Sequence, residues 1–243
     1  MKTVQELSKN QIKLIKSLGI KKYRNKNNLF IAEGRKVIEE LIDSDFEIER
    51  CFVVEQEMAN QIDQAQLIST SDLKRISQLS TPHFGLAIVK IPLPNGPITE
   101  DLNLVLDGIA DPGNLGTIIR LADWYGLKQI SCINNCVDPF SPKVVQASMG
   151  SIFRIRLVET NAETLKWNSH VYGTFMSGKN ASTHVPKFPC NLVIGNEANG
   201  ISKEVETICS EKLTIKKYGQ AESLNAGIAT GILLDRFKQN LDD

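Results

Sequence analysis

The sequence predicts two α/β domains in tandem, the second built on a mostly parallel sheet covered on both faces. Three observations predict it. Short apolar runs alternate with amphipathic segments along the chain, as expected for strands joined by helical crossovers. Residues 92–101 (PLPNGPITED) hold three prolines and a glycine, a composition that continues neither a helix nor a central strand. The 243 residues are 42% hydrophobic and 23% charged, ordinary values for a chain that buries its own core.

Taken in order, apolar positions at Val4, Leu7, Leu14, Ile15 and Leu18 follow a helical period over 4–18. Residues 21–28 (KKYRNKNN) are too polar for a core element and read as a loop. Strands are predicted at 29–32, 48–54, 67–69 and 86–91, with helices at 35–42, 56–63 and 71–78 between them. This is an α/β unit over residues 1–92, and 93–101 is the linker. The second domain, 102–243, reads as strands at 102–106, 129–133, 155–158, 171–175, 192–194 and 213–215. Its helices are predicted at 115–125, 142–151, 162–167, 203–209 and 224–239.

Composition excludes several classes. A disordered chain needs lower hydrophobicity and a larger net charge than the zero found here. No apolar run approaches the ~18 residues of a membrane-spanning helix. The lysine-rich N-terminal stretch lacks the apolar centre of a secretory signal. Five scattered cysteines (Cys51, Cys132, Cys136, Cys190, Cys209) read as reduced thiols of a cytoplasmic protein. His83, His170 and His184 are far apart, and the close Cys132/Cys136 pair has no second pair to complete a zinc site, so no metal is expected.

The zero net charge hides a gradient. Residues 1–36 hold ten basic and two acidic residues, whereas 37–102 hold four basic and twelve acidic. The basic block offers Lys21, Lys22, Arg24, Lys26 and Arg35 as phosphate contacts. It reads equally well as a solvated helix face, since Tyr23 and Phe30 are its only aromatic residues.

In parallel α/β sheets, ligands sit beyond the carboxyl ends of the strands. Three such ends are chemically distinctive. After the strand ending near Asp107, a glycine-rich loop (GIADPGNLG) leads into a helix that carries one arginine, Arg120, among apolar residues. The spacing matches neither a Rossmann fingerprint nor a P-loop, and a rim salt bridge is the plain alternative for Arg120. After the strand at 192–194 come Gly195, Asn196, Glu197 and Gly200, where Glu197 is either a ligand group or a turn residue. After Ile215, the segment Ser223-Leu224-Asn225 opens an apolar helix rich in small residues (Ala226, Gly227, Ala229, Gly231). Ser223 has the chemistry of an N-cap, whereas an amide at Asn225 calls for a hydrogen-bonding partner.

These three segments resemble the motifs of the SpoU (TrmH) family of RNA ribose 2′-O-methyltransferases, within the SPOUT class. The pattern Asn-x-Gly-x-x-x-Arg-x-Ala-x-x-x-Gly is met by Asn114, Gly116, Arg120, Ala122 and Gly126. Gly-x-Glu-x-x-Gly is met by Gly195, Glu197 and Gly200, and Ser-Leu-Asn by residues 223–225. Ala226-Gly227 departs from the bulkier or hydroxylated residues of many members. FIAEG at 30–34 and TPHFGLAIV at 81–89 look like the small RNA-binding domain that precedes the catalytic one. The resemblance implies a trefoil-knotted α/β domain, S-adenosyl-L-methionine as cofactor, an rRNA or tRNA substrate, and a homodimer with sites near the subunit interface. It implies that Gly195, Asn196, Gly200, Ile215 and Leu224 hold the cofactor. It also implies that Arg120 contacts the ribose, with Asn114, Glu197, Ser223 and Asn225 completing the catalytic set. A non-catalytic RNA-binding factor that keeps the fold is the competing reading, separable by titrating the cofactor.

Overall fold

The computed structural model describes residues 2–93 and 100–242. In chain order the elements are α1 (Lys9–Ser17), α2 (Lys21–Asn27), β1 (Leu29–Glu33), α3 (Arg35–Ile42), β2 (Ile48–Val53), α4 (Gln56–Gln61), β3 (Ala65–Leu67), α5 (Thr70–Ile76) and β4 (Gly85–Lys90). There follow β5 (Leu102–Asp107), α6 (Pro112–Trp124), β6 (Gln129–Ile133), α7 (Pro142–Ala147), β7 (Arg156–Glu159), β8 (His170–Asn180), β9 (Cys190–Gly195), α8 (Lys203–Ile208), β10 (Glu211–Thr214) and α9 (Ala226–Asp242). They form two compact units, Met1–Leu93 with Phe140–Phe153, and Pro94–Pro139 with Arg154–Asp243. Residues 94–99 of the expected linker lie outside the described residues.

In the first unit, β1-β4-β2-β3 form a sheet in which β4 is antiparallel to both neighbours and β2 is parallel to β3. Strand alternation sends Ile31, Phe52, Leu86 and Ile88 into one core with Ile15 and Leu18 from the α1 region and Leu73 and Ile76 of α5. The first helix starts later than its apolar period suggests. Ser8 and Gln11 close a reciprocal capping box that sets the N-terminus at Lys9.

Two differences from the sequence reading fall in this unit. The polar stretch 21–28 is a helix, not a loop. Arg24 is only 3% exposed, and its guanidinium donates to the Leu18 carbonyl at 2.8 Å, at the C-terminal end of α1. That contact satisfies a carbonyl left without an intrahelical partner and places a cation at the negative helix end. Asn28 then stops α2 in the left-handed region, at φ +54°. The second difference is the segment 140–153, expected inside the second domain. It packs with the first unit, because the Phe140 ring lies 4.9 Å from Phe30 and the Phe153 ring 5.2 Å from Phe46. A Cβ at Gly150 would sit 2.5 Å from Glu40 Cγ, so the chain passes α3 where only glycine fits.

The Glu33 carboxyl, 5% exposed, accepts hydrogen bonds from the Ser77 hydroxyl and the Gln78 amide. Burial pushes its pKa up despite these bonds. A carboxyl with a raised folded-state pKa adds stability that is complete below its unfolded value and lost as pH rises through the folded one. Glu33→Gln removes that titration. Its melting temperature is therefore expected to gain on the unmodified protein from about pH 4 to pH 8. A constant difference across that range would refute the assignment.

The second unit holds a six-stranded sheet in the order β10-β8-β9-β5-β6-β7, with every neighbouring pair parallel. Central β5 buries Leu104, Val105 and Leu106 in succession, as a strand covered on both faces must. Val105, Val171 and Val193 join Val205 beside α8 on one face. Elsewhere in the unit α6 lies against α9. A Cβ at Gly227 would fall 2.9 Å from Thr117 Cγ2, and one at Gly231 3.4 Å from Leu121 Cδ2, so the small residues of α9 bring the helices close. The helix expected at 162–167 is a turn. Asn161 Oδ1 accepts from the Thr164 amide, and the Trp167 indole donates to the Ala162 carbonyl at 2.9 Å, which closes the segment after one turn.

Candidate functional site

All six strands of the second unit run the same way, so the segments leaving β5, β6, β9 and β10 emerge along one edge of the sheet. The first of them is organised by Asp111. Its carboxylate caps α6 by accepting from the Asn114 amide at 2.8 Å, and Pro112 occupies the first turn. The helix therefore starts three residues earlier than the apolar pattern indicates. Asn114 lies inside it with its side chain fixed.

The turn after β9 is held by a two-residue bridge. Asn196 and Gly200 exchange backbone hydrogen bonds of 2.9 Å in both directions. The Asn196 side chain accepts from the Ala198 and Asn199 amides and donates to the Gly108 carbonyl at 2.7 Å, tying this turn to the loop after β5. Gly195 has no room for a side chain: a Cβ would lie 2.4 Å from Gly200 C and Ile201 N. Gly200 adopts φ +68°, where glycine carries no steric penalty.

A side-chain relay joins the three motif segments. Asn225 Nδ2 donates to Asn114 Oδ1 at 2.6 Å, and Asn114 Nδ2 donates to Glu197 Oε1 at 2.6 Å. Asn225 Oδ1 accepts at the same time from the Gly227 and Ile228 amides at the start of α9. Asn225 is thus the capping residue, a role that sequence reading considered for Ser223. Its amide needs both partners at once, so the helix start and the relay are fixed together.

Arg120 is exposed, and among the described residues it makes no hydrogen bond or ion pair. The salt-bridge reading therefore does not hold within the chain. At about 100° per residue Arg120 lies about 120° round α6 from Asn114. It shares an exposed stripe with Thr117 and Trp124, and Trp124 is 83% exposed. The relay brings Asn114, Glu197 and Asn225 together but not Arg120. Ser223 and Leu224 are exposed and Ile215 is half-buried. Among the described residues, the backbone of 215–224 has no hydrogen-bond partner.

Sequence reading passed over the buried anchor beneath these loops. Asp107 is 2% exposed. Its Oδ1 accepts from Asn134 Nδ2 at 2.8 Å and its Oδ2 from the Ser202 amide at 2.7 Å, while Asn134 Nδ2 also reaches Ser202 Oγ at 3.1 Å. One carboxylate thus joins the ends of β5, β6 and β9. A charged residue closing an apolar strand was the available signal, along with the Asn134-Asn135 pair, both at positive φ. Beside it, the Cys136 thiol donates to the Leu106 and Ile133 carbonyls, each at 3.3 Å. Burial next to Cys136 pushes the Cys132 thiol up. All five cysteines are free.

The expected RNA contacts belong to the first unit. Lys21, Lys22 and Lys26 are exposed. Arg24 is removed from that set, because its guanidinium is buried against Leu18. Arg35 is exposed but engaged, paired with Glu55 and Glu39 and stacked 4.2 Å above the Phe84 ring. Among the described residues, no group of three or more His, Cys, Asp or Glu is placed to hold a metal ion, and no helix is long and apolar enough to cross a membrane.

Fold and edge define the class: a parallel α/β domain that takes its ligand where strand-end loops meet, without dinucleotide-binding glycine spacing. The chain belongs to the SpoU rRNA methylase family, whose model matches residues 101–235, and the model of the MRM3-like substrate binding domain matches residues 9–87. It is 29% identical to the 23S rRNA (guanosine(2553)-2′-O)-methyltransferase RlmP of Bacillus subtilis, covering 96% of this chain and 98% of that protein. Among solved structures it resembles a TrmH-family protein from Porphyromonas gingivalis (34% identity, 97% of this chain and 99% of that one, TM-score 0.84). It also resembles an AdoMet-bound rRNA methyltransferase from Sinorhizobium meliloti (30% identity, 98% and 97%, TM-score 0.85).

Proposed function

We propose that this protein methylates a ribose 2′-hydroxyl of ribosomal RNA, using S-adenosyl-L-methionine. The observation that carries the reading is the Asn225–Asn114–Glu197 relay, which locks all three family motifs onto one edge of the sheet. The residues present fit the cofactor. The Gly195–Gly200 turn admits no added side chain, the backbone of 215–224 offers unpaired donors and acceptors, and Ile215 and Leu224 supply apolar surface for a nucleoside.

When bound, the cofactor supplies an electrophilic methyl group on a good leaving group. The protein's task is to align a poor nucleophile and stabilise the charge that develops on its oxygen. Arg120, with no partner among the described residues, is the group to contact the 2′-oxygen and the adjacent phosphate. Its planar fork of donors suits positioning the ribose and stabilising charge on its oxygen. Asn114 and Glu197 hold the start of α6, Asn225 holds the 215–224 segment, and Ser223 faces the ribose. The lysines of α2 draw RNA to the first unit.

A trefoil knot and a homodimer belong to the same reading. Edge strand β10 lies three strands from β5, about 14 Å away. Asn225 nevertheless returns to bond α6, so residues 215–225 cross the loops of the intervening strands, which supports the knot. Leu224, Ile228 and Ile232 are exposed apolar residues at helical spacing, and Trp124 of α6 is also exposed, which supports pairing with a second copy.

Radiolabelled S-adenosylmethionine and ribosomal RNA from cells lacking the gene test the reading. The expected product carries label at a nucleotide whose 3′ bond resists alkaline hydrolysis. Label entering transfer RNA alone would change the substrate class. Absence of cofactor binding would leave the non-catalytic RNA-binding factor.

A further inference from the structure

We infer that Lys216, Lys217 and Tyr218 form an RNA-binding site at the mouth of the cofactor loop, one that grips the strand next to the methylated ribose. The inference rests on the methyltransferase reading and adds a substrate contact outside the family motifs and outside the N-terminal basic block. Three features carry it.

The first is charge. Lys179 and Lys212 on the neighbouring strands are paired, with Glu211 and Glu206. Lys216 and Lys217 are exposed and, among the described residues, have no ion-pair partner. The second is the ring. Tyr218 is 87% exposed, and Lys216 Nζ lies 5.0 Å from its centroid. One face is thus braced by a cation and the rest is open to solvent. Exposed aromatic surface flanked by lysines suits single-stranded nucleic acid, where bases stack on rings and cations follow the phosphates. The third is position. The three residues leave the carboxyl end of β10, on the same edge as the relay, five to seven positions before Ser223.

S-adenosylmethionine is the other ligand within reach. At neutral pH it carries a sulfonium and an ammonium against a single carboxylate, so two adjacent lysines oppose it. A phosphate chain is attracted by the same lysines. The charge therefore favours RNA.

The test uses the full chain, with Lys216→Gln/Lys217→Gln as one variant and Tyr218→Ala as another. Binding of a short fluorescein-labelled single-stranded RNA of mixed sequence is measured over a salt series, and S-adenosylmethionine binding by calorimetry. The lysine variant is expected to lose about 1.4 from the slope of log affinity against log salt, about 0.7 for each released contact. Tyr218→Ala is expected to bind RNA about tenfold more weakly with its slope unchanged. Both are expected to melt at the temperature of the unmodified protein, which certifies the fold. Unchanged RNA binding in both variants overturns the site, as does loss of cofactor affinity with RNA binding intact. Failure of the unmodified protein to bind or methylate RNA at all would sink the methyltransferase reading itself.

Discussion

Replacing Arg120 by alanine is expected to lower methyl transfer at least about a hundredfold while cofactor binding and solution mass stay unchanged. The size follows from removing one preorganised donor to a developing oxyanion, typically worth about a hundred- to a thousandfold. The selectivity follows from the structure. Arg120 is exposed and bonded to no described residue, so its loss breaks nothing that holds α6 or the strand-end loops. Arg120→Lys keeps the charge but loses the planar fork that spans two oxygens, and is expected to recover only part of the rate. Arg120 also lies on a different side of α6 from the relay, on the stripe shared with Trp124. If that stripe meets a second copy, the arginine serves the partner's cofactor. Mixing Arg120→Ala with a variant defective in cofactor binding is then expected to restore transfer, because one site in the mixed dimer keeps both parts. Near-normal turnover in Arg120→Ala would remove the residue from the mechanism. Failure of the mixture to recover would confine it to its own subunit.

The parallel strands of the second unit were legible because buried strands read as unbroken apolar runs, and β5, β6 and β9 match their expected positions closely. The relay residues were legible as polar groups with no packing reason to stand at strand ends. What stayed hidden depended on tertiary context. The helix at 21–27 gains its only buried side chain from Arg24, a residue whose charge argues for solvent until the Leu18 carbonyl is placed against it. The packing of 140–153 on the first unit depends on rings at Phe30 and Phe46, about a hundred residues earlier in the chain. Asn225 displaced Ser223 as the cap of α9 because its amide has two functional ends. Serine's single oxygen cannot cap a helix and also present an amide N–H to Asn114.

The same reasoning gives Asp107 the largest expected effect among the buried residues. Asp107→Ala takes its acceptor from the Ser202 N–H and leaves the Asn134 amide only Ser202 Oγ, beneath a strand end where Asp107 itself is buried. A buried donor left without its acceptor costs about 1–3 kcal/mol, and the variant is expected to lose about that much stability. The loss has a direction, because the carboxylate latches the ends of β5, β6 and β9. With the latch gone, the Gly195–Gly200 turn keeps its own bridge and the Asn196 tie to Gly108, but not its anchor at Ser202. Ligand binding must then order the turn, and cofactor affinity is expected to fall at least about tenfold. Asp107→Asn separates positioning from simple destabilisation. Its oxygen still accepts from one donor, and its amide finds a partner if Asn134 turns its own oxygen inward, so about half of the lost affinity and stability is expected to return. The discriminating readout is the KM for S-adenosylmethionine against kcat at a temperature where each variant is folded. A raised KM at near-normal kcat, partly rescued in Asp107→Asn, is the signature of a positioning residue. Variants that melt earlier but bind the cofactor as tightly as the unmodified protein would reduce Asp107 to a core polar group with no hold on the site.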